Sequence, residues 1–132
     1  MAYYLLDTDA IIDYLAGIAS SVRLVQELHD RGNFLCICDV VVAEVHSGLR
    51  PQDREKAEKL LSACSFLSTD AEDAKLAGRW RYEYARRGVT LSTTDALVAA
   101  TAHGHKATIV TGNKDDYPMD EIDVLPLPRP RR

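Results

Sequence analysis

Two kinds of block alternate along this chain. Short runs such as Tyr3-Tyr4-Leu5-Leu6 and Phe34-Leu35-Cys36-Ile37-Cys38 are apolar at nearly every position, as in strands buried on both faces of a sheet. Longer stretches between them place apolar residues three and four apart, the spacing of helices with one face in a core. The first run predicts a strand over 3–7 that ends abruptly in Asp7. Ile11, Ile12 and Leu15 then predict a short helix over 9–15, capped by Thr8 or Asp9 and stopped at Gly17. Ser20 or Ser21 caps a second helix running to Arg31, and 34–38 is the second strand. Val40 to Leu49 reads as a third helix, and Pro51 to about Ala63 as a fourth. A brief strand over 65–68 precedes a long helix from Thr69 or Asp70 to Arg87. Ser92 stands three residues before Asp95, the spacing of a capping box, and Ala96 to His103 follows as a very apolar helix stopped by Gly104. Strands are expected over 107–111 and 122–125. The tail from Pro126 to Arg132 holds three prolines and is expected to be irregular.

Strands that alternate with helices predict an α/β fold: a mainly parallel sheet with helices on both faces, a three-layer α/β/α sandwich. With 132 residues and no linker or repeat, one domain over 1–132 is expected, with 126–132 as a Pro/Arg-rich tail. The buried pattern of 3–6 places that strand centrally. Asp7 then stands at the carboxyl edge of the sheet, where open α/β folds bind ligands.

Composition changes this picture little. No apolar run approaches the ~20 residues of a membrane span, and the N-terminus lacks the features of a signal peptide. The odd set Cys36, Cys38 and Cys64 reads as reduced thiols, and Cys36 and Cys38 as buried small residues. A cytoplasmic protein with no membrane partner is expected. The net charge of −4 argues against binding nucleic acid by bulk charge alone, but not against a nuclease with its acids gathered at a metal site.

Acids are the informative residues. Asp7 and one of Asp115 or Asp116 fall at or just beyond strand ends, and Glu44 and Asp95 sit on apolar helices. Each alone has an ordinary reading, Asp7 and Asp95 as caps and Glu44 as the partner of a surface Arg. Together they conflict with their surroundings, because converging carboxylates raise one another's pKa. A divalent cation resolves the conflict, and oxygen-only ligands suit Mg²⁺ or Mn²⁺ rather than zinc.

Four segments in order carry a resemblance: Leu5-Leu6-Asp7-Thr8-Asp9-Ala10-Ile11-Ile12-Asp13, Val42-Ala43-Glu44-Val45, Thr94-Asp95-Ala96-Leu97-Val98-Ala99-Ala100, and Thr111-Gly112-Asn113-Lys114-Asp115-Asp116-Tyr117. The chain resembles PIN-domain ribonucleases, and among them VapC-like toxins of type II toxin–antitoxin modules. The resemblance implies that Asp7, Glu44 and Asp95 hold the metal, with Asp116 as the fourth acid and Asp115 as its runner-up. It implies supporting roles for Thr111 and Asn113 in orienting the site, and for Thr8 in holding a water or phosphate. It implies an endoribonuclease dependent on Mg²⁺, with Mn²⁺ as a substitute. The implied partners are an RNA substrate, a second copy in a homodimer, and a small cognate antitoxin. Gly112 departs from the family, standing where a basic residue is frequent, and Asp9 is weighed as an acid supporting the site or as the helix cap, with the cap favoured. A groove for a partner helix is expected around Ile11, Leu15, Val22 and Leu49.

Two rival readings keep the same residues. In an aspartate-nucleophile phosphatase, Asp7 attacks phosphorus and Asp9 serves as acid–base, with Lys114 as the downstream lysine. In a non-catalytic binding module, the acids hold a structural cation. Arg79, Arg81, Arg86 and Arg87 read as a solvated face, and Trp80 as core. His46 is weighed as a support for Glu44, and Arg129, Arg131 and Arg132 as a phosphate contact or a disordered end.

Overall fold

The computed structural model describes residues 1–128. The positions weighed in the tail, Arg129, Arg131 and Arg132, lie outside the described residues. The core of the fold is a five-stranded sheet, every neighbouring pair parallel, formed by β1 (Tyr3–Leu6), β2 (Phe34–Cys38), β3 (Ser65–Leu67), β4 (Ala107–Thr111) and β5 (Val124–Pro126) in the order β3-β2-β1-β4-β5. The strand order turns back at β1, which pairs with β2 on one side and β4 on the other. That reversal opens a crevice beyond the carboxyl ends of β1 and β4, where residues 7 and 112 leave the sheet.

Among the described residues six α-helices flank the sheet: α1 (Thr8–Leu15), α2 (Ala19–Asp30), α3 (Asp39–Gly48), α4 (Arg54–Ser62), α5 (Ala71–Arg86) and α6 (Thr93–His105). The apolar runs read as strands are buried where the sheet is thickest: Leu5, Leu6, Cys36, Cys38, Ile109 and Val110 are closed to solvent. Burial pushes the Cys36 and Cys38 thiols up to about 11, so they serve as small core side chains.

Several boundaries differ from the sequence reading. The cap of α1 is Asp7, whose Oδ1 accepts from the Thr8 N–H at 2.9 Å, so neither Thr8 nor Asp9 caps the helix. The helix α2 begins a turn early behind Ile18, and Ser21 is buried with its hydroxyl on Asp13. Gly104 does not stop α6. The helix runs on to His105 and ends where Lys106 takes the left-handed conformation at φ 55°. Gly104 is instead a close-packing position, since a Cβ there would stand 2.7 Å from Asp73 Oδ1 on α5. The last strand lies at 124–126, so Pro126 is regular structure after all. An edge strand tolerates it because the missing N–H faces away from β4, and the next residue, Leu127, still donates to Thr111 O at 2.9 Å. No helix among the described residues is long and apolar enough to cross a membrane.

Candidate metal centre

Asp7 leaves β1 at the crevice and is almost fully buried, 8% exposed. A buried carboxylate needs donors on both oxygens, and it has them. Oδ1 accepts from Thr8 N–H at 2.9 Å and Oδ2 from the Tyr117 hydroxyl at 2.7 Å. Thr8, the first residue of α1, donates its hydroxyl to Glu44 Oε1 at 3.1 Å. That bond joins α1 to α3 and holds Glu44, half-buried between the core residues Val41 and Val45. Thr8 therefore touches an acid of the cluster. His46 is exposed and makes no contact with Glu44 among those described.

Asp95 enters from the first turn of α6. Ser92 caps that helix by accepting from the Asp95 N–H at 3.0 Å, and Asp95 itself is half-buried. Burial holds its carboxyl above the ordinary range, and the charges of Asp116, Asp7 and Glu44 raise it further, against the Ser92 hydrogen bond. Asp116, Asp7 and Glu44 therefore lie within electrostatic reach of Asp95. Asp115 is not among the charges felt there; it lines a cleft with Pro118 and Asp120. None of the four joins an ion pair among the described residues, where the pairs are His29–Asp30, Arg50–Asp53 and Lys75–Glu72.

The loop after β4 is held by Asp9. Its Oδ2 accepts from Gly112 N–H at 2.8 Å and from Asn113 Nδ2 at 3.2 Å, and its Oδ1 from the Thr111 hydroxyl at 3.4 Å. Thr111 Oγ1 in turn accepts from Asn113 N–H. Asp9 is thus a clamp on the loop, correcting its reading as a cap, and Thr111 and Asn113 orient the loop by gripping it. From there a short 3₁₀ turn, Lys114–Asp116, presents Asp116 and Tyr117 in succession. The Tyr117 hydroxyl escaped the sequence reading, in which the residue only closes the last of the four segments. An oxygen-bearing ring directly after the acid was the available signal. Burial, then the charge of Asp7 and its hydrogen bond, push the Tyr117 hydroxyl far above its usual pKa, so it stays protonated.

The donor set suits a hard divalent cation. It is all oxygen and carries no compensating base. Among the described residues no three His, Cys, Asp or Glu side chains close into a ready cage. An all-oxygen donor set is of the kind that Mg²⁺ or Mn²⁺ takes, with waters completing the shell.

Beside the crevice, α1, α3 and the segment after it enclose an apolar groove of about 340 Å³, lined by Ile12, Leu15, Val45 and Leu49, with Arg50 and Lys56 at its rim. The expected groove is present with a changed lining. Ile11 is wholly buried beneath it, Val22 does not line it, and Ile12, half exposed, takes their place.

Comparison with known proteins bears on the family and the fold. The family model described as PIN domain matches residues 4–125. Ribonuclease VapC19 of Mycobacterium tuberculosis is 30% identical over 117 residues, covering 87% of this chain and 92% of the relative. The crystal structure of VapBC2 from Rickettsia felis, bound to a DNA fragment from its promoter, superposes with a TM-score of 0.84 at 22% identity, over 94% of this chain and 98% of that one. A toxin–antitoxin complex from Klebsiella pneumoniae gives a TM-score of 0.73 at 23% identity, over 92% and 95% of the two chains.

Proposed function

This chain belongs to the PIN-domain family, and from that premise we propose that it is an endoribonuclease, the toxin of a toxin–antitoxin pair, hydrolysing RNA phosphodiester bonds with Mg²⁺ or Mn²⁺. The observation that supports it most is the convergence of Asp7, Glu44, Asp95 and Asp116 without an ion pair. These four residues would hold the ion, which when bound supplies positive charge for the phosphate and an acidified water. The protein does the rest of the work. Thr8 fixes Glu44, Ser92 fixes the turn that carries Asp95, and Asp9 fixes the loop that carries Asp116. The N-terminal turn of α6 adds the positive end of a helix dipole beside Asp95. A water oxygen then attacks phosphorus in line, the opposite phosphorus–oxygen ester bond breaks, the attacking water's proton leaves through the carboxylate ring, and the departing oxygen is protonated from solvent.

Asp9 weighs against the aspartate-nucleophile phosphatase. That chemistry needs its carboxyl as an acid–base group, and here it accepts from three groups of the 111–113 loop.

The partner side of the reading is a small antitoxin whose apolar segment lies in the Ile12–Leu49 groove, close enough to the crevice to cover it, on a toxin that acts as a homodimer. RNA is the substrate. The decisive test is incubation of purified total RNA with the protein and Mg²⁺ or Mn²⁺. Wild type is expected to cut. D7N should cut ~100-fold or more slowly, the order of loss when a metal's own ligand is removed, and EDTA should silence both. Equal cutting by wild type and D7N, or no cutting with either ion, would count against the proposal.

A further inference from the structure

We propose that Tyr117 is a positioning residue for Asp7: its hydroxyl sets the orientation in which the Asp7 carboxylate meets the divalent ion. The inference rests on the metal-dependent reading above and adds to it a residue outside the four acids.

The argument begins with the two oxygens of Asp7. An ionised carboxylate only accepts, so at 2.7 Å the Tyr117 hydroxyl must be the donor to Oδ2, while the Thr8 N–H holds Oδ1. One donor is backbone at the start of a helix and cannot swing. The other is carried by a ring that is 4% exposed and part of the hydrophobic core, so it cannot swing either. Two rigid donors on two oxygens fix both the rotamer and the plane of the carboxylate. Each oxygen retains a further lone pair for an ion.

Among the described residues the hydroxyl has no other hydrogen-bond partner. A phenylalanine would fill the same space without bringing a polar atom that must be satisfied, and burying an unpaired hydroxyl is costly. The oxygen is therefore explained by Asp7. Chain geometry points the same way. The turn that ends with the Tyr117 N–H on Lys114 O at 3.0 Å delivers Asp116 and Tyr117 as neighbours. One short segment thus supplies an acid of the cluster and the donor that aims another. Partners of metal ligands of this kind are commonly worth ~10–100-fold in metal affinity.

The test is Y117F, read by titration with Mn²⁺ alone, following free Mn²⁺ by electron paramagnetic resonance. We expect a dissociation constant ~10–100-fold weaker than wild type. In RNA cleavage the Mn²⁺ midpoint should move up by the same factor, with most of the rate recovered at saturating Mn²⁺. A merely structural hydroxyl would lower the metal-free melting temperature and leave both Mn²⁺ readouts in place, which would overturn the inference. If Y117F does not fold, 3,5-difluorotyrosine at position 117 keeps the ring and the donor but alters its strength. Unchanged Mn²⁺ affinity would then overturn the inference. Wild type that binds no Mn²⁺ would defeat the metal-dependent reading itself, and this inference with it. Wild type that binds and cuts while Y117F matches it would defeat this inference alone.

Discussion

Asp95 shows how a residue can be built against its own stability. Its carboxyl is raised by burial and by three neighbouring acids. The folded, metal-free protein therefore holds that proton more tightly than the unfolded chain, whose value is near the ordinary 3.8. Stability falls as pH climbs from the unfolded value through the raised folded one, and the cost stays in full above it. D95N removes the titration. We expect it to raise the metal-free melting temperature at neutral pH by ~2 °C, a small shift because the half-exposed group is screened by solvent, and to leave wild type and variant alike near pH 3. Thermal melts in EDTA across pH 3–8 check this; equal melting temperatures at pH 7 would contradict it. At this scale Asp7, Glu44 and Asp95 were legible because an acid inside an apolar pattern is conspicuous. Asp9 was not. A helix-starting acid serves equally well as a cap or as a clamp on another loop, and the loop it holds begins more than a hundred positions later. Tyr117 was hidden for a related reason: an aromatic in a pattern looks like core, and here it is core with a functional oxygen.

Elements were legible where a single signal dominated. The apolar runs of β2 and β4 predict their observed ends, 34–38 and 107–111. Boundaries failed where two signals competed. Gly104 reads as a helix stop by its conformational freedom, yet it lies within α6 because α5 passes too close for a side chain. G104A tests which effect wins. Within a helix the exchange should gain ~1 kcal/mol of propensity. Here the new methyl would press on the Asp73 carboxylate, which is buried and bound through Oδ2 to the Asp70 N–H as half of a capping box. Overpacking of this sort costs ~1–3 kcal/mol, so we expect a net loss of about 1 kcal/mol in urea unfolding. A gain in stability would mean that Asp73 yields freely.

For the whole molecule, the groove and the acidic crevice lie side by side on one helix. α1 gives Thr8 to the crevice and Ile12 and Leu15 to the groove. A partner seated in the groove is thus placed to reach the crevice, whereas the groove itself makes no contact with the acids' oxygens. L49E should leave RNA cleavage within about twofold of wild type, as surface changes away from a site usually do. It should weaken inhibition by the proposed antitoxin ~10-fold or more, since a charged side chain would replace an apolar anchor of the groove. Inhibition curves with purified partner decide it, and unchanged inhibition would move the partner elsewhere. The parallel α/β architecture was legible from the alternation of blocks alone. The strand order was not, because nothing in an apolar run says which neighbour it will take.

That order has a consequence for the making of the protein. β1 is the central strand of the sheet, and it needs beside it β4, which is synthesised long after it. Tyr117 lies 110 positions beyond the Asp7 that it contacts, in a chain of 132 residues. Contacts so far apart form late and slowly. A nascent chain therefore carries Asp7 through the synthesis of 110 further positions before Tyr117 can meet it. The acids gather only after the segment that brings Asp116 and Tyr117 has been translated, so the order of synthesis itself delays the edge of an RNA-cutting enzyme.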